Sequence, residues 1–210
     1  MTHKLTKTLL ASSLAACAGL AQAEFSANVA LTSDYVWRGV SQTNEDPAIQ
    51  GGFDFSAKSG FYLGTWGSNV EFNDNAQMEL DIYGGWSGEV GGIGVDVGII
   101  RYTYIDESSL NFTEFYLGAS YGPFSAKISN DFDNDNLYYE AGLEFGLPED
   151  ATLALHIGRY DFDAGGDYTD YSIGVSKEFG GFGVDLSYYD TDLDGPLSDG
   201  RVVLTVSKSM

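Results

Sequence analysis

Apolar and polar residues alternate along most of the chain. In the clearest run the apolar positions are Leu137, Tyr139, Ala141, Leu143 and Phe145. Similar runs begin at Met78, Ile93, Phe182 and Val202. A period of two residues predicts β-strands with one apolar face and one polar face. Since no segment shows a sustained helical period, we expect an all-β protein.

The alternation defines twelve predicted strands. They cover residues 25–35, 48–57, 61–67, 77–87, 93–103, 113–121, 124–130, 136–146, 151–160, 169–178, 182–189 and 201–208. Most have about nine to eleven residues, the length with which a tilted strand crosses a bilayer. We therefore predict an antiparallel up-and-down transmembrane β-barrel of twelve strands, with ten to fourteen strands as the range of alternatives.

The predicted connections alternate strictly between short and long. The short ones are 57–60, 87–92, 121–123, 146–150 and 177–181; the long, acidic ones are 36–48, 68–76, 104–112, 131–135, 161–168 and 190–200. Outer-membrane barrels have short periplasmic turns and longer external loops. The pattern therefore predicts a bacterial outer-membrane protein with both termini in the periplasm. A soluble β-sandwich is the alternative, but it does not explain the alternating loop lengths.

The first 23 residues are typical of a secretory signal peptide. Lys4 and Lys7 precede an apolar stretch, and Ala21-Gln22-Ala23 reads as a cleavage site. We expect residues 1–23 to be removed and residues 24–210 to form one barrel domain. The alternative is a lipobox at Leu14-Ala15-Ala16-Cys17, in which Cys17 would be lipidated.

The chain is strongly acidic. It has 31 Asp and Glu against 10 Lys and Arg, and loss of Lys4 and Lys7 makes the net charge of residues 24–210 equal to −23. Such a surface repels nucleic acid and attracts cations. We therefore expect no nucleic-acid partner.

Three predicted external loops carry carboxylates at every second residue. One holds Asp161 and Asp163, with Asp167 further on; the other two hold Asp131, Asp133 and Asp135, and Asp190, Asp192 and Asp194. Oxygen-rich loops suit Ca²⁺ or Mg²⁺. However, the position of the final bidentate Glu of a calcium loop holds Arg201. A solvated acidic surface is the first interpretation, and weak divalent binding, within the loops or to lipopolysaccharide phosphates, is the second; we expect no other cofactor.

Strand parity predicts a polar and mostly acidic lumen. The inward positions are Asp54, Glu79, Asp81, Asp96, Glu114, Glu140, Glu144, Asp170, Asp185, Lys127, Lys177 and Arg201. Acidic linings favour cations. The same charges also suit a closed lumen filled by salt bridges, since buried charges must be paired. Both interpretations remain open at this point.

Enzymatic function has little support in the sequence. His156 is the only histidine after residue 23, and its parity places it in the lumen. No motif nominates a nucleophile within its reach, as a Ser-His site requires. We therefore expect no catalytic residues, with a lipid-modifying barrel enzyme kept as a remote alternative.

Two motifs resemble a known family. The segments TSDYVWRGVSQT at residues 32–43 and GFYLGTWGSNV at residues 60–70 resemble the Gcw-chp family of bacterial conserved hypothetical proteins. The resemblance implies a signal peptide and an outer-membrane barrel but no established activity. One departure is Met210 at the end of the chain, where barrels read by the insertion machinery commonly carry an aromatic residue.

Within the first motif, Arg38 is the only basic residue of the six predicted external loops. Its guanidinium group is expected to clamp the first loop to Asp34 or to a neighbouring acidic loop through paired hydrogen bonds. Trp37 and Trp66 are expected to be anchors at the membrane interface.

The leading functional hypothesis is a small porin-like channel for small polar or cationic solutes. The alternatives are a closed structural or adhesive barrel whose acidic loops bind divalent cations, and the lipid-modifying enzyme. The expected partners are outer-membrane lipid and lipopolysaccharide, the insertion machinery and the solutes themselves. The oligomeric state stays open.

Overall fold

The computed structural model describes residues 24–210, which form a closed antiparallel β-barrel. Its twelve wall strands are β1 Glu24–Thr32, β4 Ala48–Ser56, β5 Phe61–Asn69, β6 Met78–Val90, β7 Ile93–Ile105, β8 Phe112–Tyr121, β9 Phe124–Asp131, β10 Leu137–Gly146, β11 Thr152–Asp161, β12 Asp167–Phe179, β13 Phe182–Thr191 and β14 Arg201–Ser209. A small hairpin, β2 Val36–Trp37 and β3 Val40–Ser41, lies between β1 and β4. The predicted signal peptide, with Cys17, lies outside the described residues.

Each wall strand pairs with its neighbours along the chain, and β1 closes the barrel by pairing with both β4 and β14. The prediction of an all-β barrel with twelve strands is confirmed. The strand bounds agree to within a few residues, although β6, β7 and β12 are longer than predicted at 13 residues each. Within residues 24–210, no helix is long and apolar enough to cross a membrane.

The outer wall is apolar and exposed. Large apolar side chains in the middle of the strands, among them Ile82, Leu117, Ile173 and Leu186, are about half exposed. A water-soluble protein buries such residues, whereas a membrane barrel presents them to lipid. Closure also leaves no strand edge with unpaired backbone groups, as a bilayer requires.

The two ends of the barrel differ. One end carries Glu24 and Met210, the two termini of the described residues, and the short turns, several built on glycines with positive φ such as Gly180 and Gly181. The other end carries the long connections, including the segment between β1 and β4. We call residues 33–47 the inner loop, because this segment turns into the barrel. For this reason the prediction that residues 36–48 form an external loop is wrong.

The buried core lies inside the barrel, at the end that carries the long connections. One cluster contains Tyr35, Tyr102, Tyr104 and Phe112, and a second contains Tyr138, Tyr160 and Tyr168. Trp37 packs against both clusters. The lumen at this end is therefore filled by aromatic rings from the wall and from the inner loop.

The predicted interface anchors Trp37 and Trp66 are wrong. Trp37 packs edge-on against the rings of Tyr102, Phe112 and Tyr160. Trp66 has the inward parity of β5 and meets the ring of Tyr35 at 5.3 Å. Both tryptophans therefore pack within the barrel and do not face lipid headgroups.

The apolar outer wall predicts a depth-dependent penalty for charge. Leu117→Arg lies at the middle of β8 and should destabilise the barrel by about 2–4 kcal/mol, because arginine is costly at the bilayer midplane. The matched control Val90→Arg, at the rim end of β6, should cost only about 0–1 kcal/mol. Denaturant unfolding in phospholipid vesicles measures both; equal penalties at the two positions would contradict a membrane-spanning wall.

Candidate functional site in the barrel lumen

The inner loop crosses the lumen from one wall to the other. It leaves β1 and returns to β4, which are neighbours, whereas β9 and β10 lie halfway round the ring of strands. Near the tip, Arg38 reaches Glu114 on β8 and Tyr138 on β10. The loop therefore forms a bar across the barrel.

Gly39 lets the tip lie directly against the wall. A Cβ atom at this position would come within 2.3 Å of Thr191 Cγ2 and 2.8 Å of Asp170 Cβ. The φ angle of +80° also favours glycine. The hydroxyl of Tyr168 donates a hydrogen bond to the Arg38 carbonyl at 3.1 Å, which fixes the backbone here.

The Arg38 guanidinium group is the centre of the tip. Its Nη2 donates to Glu114 Oε2 at 2.8 Å, and both side chains are buried, with 7% and 2% exposure. Its Cζ lies 4.1 Å from the ring centre of Trp37, 4.0 Å from that of Tyr138 and 4.8 Å from that of Tyr160. Burial alone would lower the pKa of Arg38, but the Glu114 carboxylate raises it above its ordinary value, so the side chain stays charged.

The root of the inner loop is held by Asp34. Its carboxylate accepts hydrogen bonds from the hydroxyls of Ser41 at 2.7 Å and Thr43 at 3.0 Å. It also accepts one from Arg201 Nη1 at 3.0 Å, and the same nitrogen lies 3.4 Å from Glu45 Oε1. These contacts tie both arms of the loop to β14.

The predicted pairing of Arg38 with Asp34 or an external loop is wrong. Arg38 pairs with Glu114 on the wall, and Asp34 pairs with Arg201. The reason is the inward turn of the loop, which carries Arg38 across the lumen and leaves Asp34 at the rim. The loop is still fixed by ion pairs, but by two separate ones.

Two further carboxylates lie beside the loop. Glu79 accepts a hydrogen bond from the Tyr35 hydroxyl at 3.0 Å, and Asp81 is the next inward residue on β6. Both are buried. The Oδ1 atom of Asp81 has no hydrogen-bond partner among residues 24–210. The filled end of the lumen therefore holds more carboxylate than cationic groups.

The remaining length of the lumen is polar and less tightly packed. Tyr62 donates to Asp96 Oδ1 at 2.7 Å, and Tyr83 donates to Asp54. Lys127 pairs with Glu140 at 2.5 Å. These residues are partly exposed, so this part forms a chamber lined by phenols and carboxylates, next to the end with the termini.

The structure places the candidate lumen residues on the inner face. They are Asp54, Glu79, Asp81, Asp96, Glu114, Glu140, Glu144, Asp185 and Arg201, together with Asp170 and Lys127. Lys177 is the exception. It shares the outward parity of Ile173 and Val175 on β12 and lies 3.3 Å from Glu149 of a turn, so its predicted inward position is wrong.

The acidic loop residues make local contacts. Asp131 is buried and accepts the backbone N–H groups of Asp133 and Asn134, and Asp133 itself pairs with Arg101 at 3.0 Å. Asp190 accepts hydrogen bonds from two tyrosines on the outer wall, and Asp192 accepts the N–H of Thr169; Asp135 and Asp194 are exposed.

No group of three or more His, Cys, Asp or Glu side chains in residues 24–210 is arranged to hold a metal ion. The contacts of Asp131, Asp133, Asp190 and Asp192 explain these residues as turn and wall contacts. Calcium or magnesium binding by these loops stays a prediction.

His156 lies on the inner face beneath the loop. Its Nε2 is 2.9 Å from Asp170 Oδ1 and 3.1 Å from the Tyr138 hydroxyl, and its Nδ1 is 3.6 Å from Glu140. The ring therefore links the tip region to the chamber. This inward position removes it from the lipid-facing wall, where a lipid-modifying barrel enzyme would need it.

The aromatic residues around Arg38 were missed by the sequence analysis. Tyr102, Tyr138, Tyr160 and Tyr168 occupy inward, polar-face positions of their strands. A signal was available in the parity of these strands, because large aromatic side chains at inward positions of a barrel need something to pack against. The inner loop is what they contact.

Comparisons with known proteins agree with this architecture. The profile of a family described as "Bacterial protein of unknown function (Gcw_chp)" matches residues 16–210. A comparison with curated protein sequences gives no match.

Among solved structures, the chain is similar to a KdgM porin, with a TM-score of 0.65 and 10% identity over 88% of this chain and 99% of that chain. It is also similar to a KdgM porin in complex with disordered oligogalacturonate, with a TM-score of 0.61 and 9% identity over 89% and 98% of the two chains. A NanC porin structure gives a TM-score of 0.59 and 8% identity over 88% and 98%. At such low identity, these likenesses show the fold.

The buried ion pair between Arg38 and Glu114 predicts that removal of the cation alone will strongly lower the free energy of unfolding. Arg38→Met keeps the length of the side chain but leaves Glu114 buried without a cation, which should cost about 3–5 kcal/mol. Adding Glu114→Gln should restore part of the loss. Denaturant unfolding in detergent micelles measures both variants.

The matched control for this experiment is Arg159→Met. Arg159 pairs with Asp161 and Asp167 on the outer wall, where its side chain is half exposed. Exposed pairs contribute about 0–1 kcal/mol. If Arg38→Met cost no more than Arg159→Met, the loop tip would not be held by the buried pair.

Proposed function

The chain belongs to the Gcw_chp family, and we propose that it is an outer-membrane channel for small cationic or polar solutes in which the inner loop sets the narrowest point. The observation that carries the proposal is a lumen with excess carboxylate, crossed by a loop that is fixed at its root and at its tip.

Residence in the outer membrane is supported by the outer wall. Its exposed apolar side chains need lipid contact, and a closed barrel satisfies every strand without edges. The short turns lie at the end with the termini, so we place that end in the periplasm and the inner loop towards the outside. Lipopolysaccharide and the barrel insertion machinery are the expected partners in this setting.

A preference for cations follows from the lining of the chamber. Asp54 and Asp96 have phenol partners, which do not neutralise a carboxylate, while Lys127 is paired with Glu140. The remaining negative charge favours cations in transit. One similar porin was solved with oligogalacturonate, an acidic sugar chain, and the lining of the present barrel favours solutes of opposite charge.

The inner loop limits the size of these solutes. The tip contacts wall strands on the far side of the lumen, so passage runs beside the loop or requires the tip to move. The tip is the two-residue turn Arg38-Gly39, whose φ angles of +48° and +80° are those of a tight hairpin between β2 and β3, and its ion pair with the far wall is the one made by Arg38 to Glu114. The root, with several bonds to Asp34, stays in place.

The second candidate function is a closed structural or adhesive barrel. The buried contacts of the inner loop favour it, because they hold the bar across the lumen in one position. Divalent cations would then act at the exposed acidic loops outside the lumen. We propose no enzymatic activity.

Planar bilayer recording tests the channel. The purified protein should give discrete conductance steps, and in a KCl gradient the reversal potential should show preference for K⁺ over Cl⁻. Asp54→Asn combined with Asp96→Asn should shift the reversal potential towards zero, because the chamber loses two carboxylates. The control Asp135→Asn combined with Asp194→Asn changes the same charge on exposed loops and should leave the potential nearly unchanged.

An anion preference would contradict the proposed selectivity. A correctly folded protein that gives no conductance, but gains thermal stability in calcium, would favour the closed barrel. Heat-modifiable migration on gels establishes folding before either conclusion is drawn.

A further inference from the structure

Most of the side chains that contact the Arg38 guanidinium group belong to the wall of the barrel. Glu114, Tyr138 and Tyr160 are contributed by β8, β10 and β11, and only Trp37 comes from the inner loop. We call these four residues the guanidinium cage. A carboxylate combined with aromatic faces at 4–5 Å is the chemistry that recognises a planar cation.

Arg38 does not satisfy this cage fully. It donates one hydrogen bond to Glu114 Oε2, while its Nη1 and the Oε1 of Glu114 are both buried without a partner among residues 24–210. A guanidinium group and a carboxylate can form two parallel hydrogen bonds. The Arg38 side chain is attached to the turn and its guanidinium group lies among the rings of Trp37, Tyr138 and Tyr160, and in this position it makes one of the two bonds.

We propose that the cage is a binding site for the guanidinium group of small solutes and that Arg38 is its internal occupant, which an entering solute displaces. A free guanidinium group can orient so that both oxygens of Glu114 are satisfied. The inference rests on the proposed function, since it names the class of cation admitted, but binding in the cage can be measured without any conductance.

When a guanidinium solute displaces the Arg38 side chain, Glu114 keeps a cationic partner. Glu114 is 2% exposed, and leaving it without a cation would be costly. A guanidinium solute takes over both the ion pair and the contacts with the rings, so the carboxylate is never left alone. The Arg38 side chain then leaves the far wall, and the tip keeps the Tyr168 hydrogen bond and the Gly39 contacts, while Asp34 and Arg201 still hold the root.

The first experiment removes the Arg38 side chain from the guanidinium cage. In Arg38→Ala the thermal midpoint in detergent micelles should rise with low-millimolar guanidinium chloride and reach a plateau, because a ligand that binds only the folded state stabilises it. Methylammonium chloride at the same concentration should give little rise, since it lacks the planar group. Arg38→Gln, tested in the same way, serves if the alanine variant does not fold.

Two control variants localise the effect. Arg159→Ala removes an arginine from the outer wall and should show no rise with guanidinium. Arg38→Ala combined with Glu114→Gln removes the carboxylate of the cage and should lose the rise. Equal responses to the two salts, or a rise that survives Glu114→Gln, would overturn the proposal.

The second experiment follows displacement in a chain that keeps Arg38. Residues 24–210 contain no cysteine, so Val40→Cys gives a single thiol next to the tip. Its labelling rate with a polar maleimide should rise several-fold in methylguanidinium chloride and stay unchanged in methylammonium chloride. An unchanged rate in both salts would overturn the displacement step.

The outcomes separate this inference from the proposed function. If guanidinium raises the thermal midpoint of Arg38→Ala and methylguanidinium speeds the labelling of Val40→Cys, but the protein conducts no ions, the guanidinium site is supported and the channel is contradicted. If the protein is a cation-selective channel and neither effect is seen, the channel is supported and the guanidinium site is contradicted.

Discussion

The pairing of Arg38 with Glu114 is the interaction on which the interior of this barrel depends. Glu114 is fixed on the wall and almost completely buried, so it needs a cation within the lumen. The inner loop supplies that cation from the opposite side. The path of the loop, the packing of Trp37 and the fit of Gly39 against β12 and β13 all follow from bringing this one guanidinium group across.

The number of strands explains why a loop is needed. About eight strands give a barrel whose interior is just filled by side chains. Twelve strands leave more space than the side chains of the wall can fill, even where tyrosines face inward. Here a segment of the chain fills one end of that space, and the other end remains a polar chamber with excess negative charge. In the proposed channel, the filled end is the constriction and the acidic chamber attracts cations.

Much of the fold could be predicted because strand periodicity is a local property. The alternation around Leu137–Gly146 determines both a strand and the side of the wall on which each residue lies. The path of residues 33–47 could not be predicted in this way, since it depends on partners such as Glu114 and Tyr160 that are distant in sequence. Trp37 and Trp66 were misassigned for the same reason, because an aromatic residue near a strand end suits either lipid headgroups or a filled lumen. Lys177 was assigned to the inner face although its position on β12 has the same parity as the outward residues Ile173 and Val175.

In the proposed channel, the inner loop governs what passes through the acidic lumen. The Gln42 N–H donates to the Tyr35 carbonyl at 2.6 Å, so residues 36–41 can be replaced by two glycines that join these neighbouring ends as a tight turn. Single-channel recording of this variant beside the unmodified protein is the most direct test. We expect a clearly larger conductance with cation preference retained; an unchanged conductance would contradict a constriction at the inner loop.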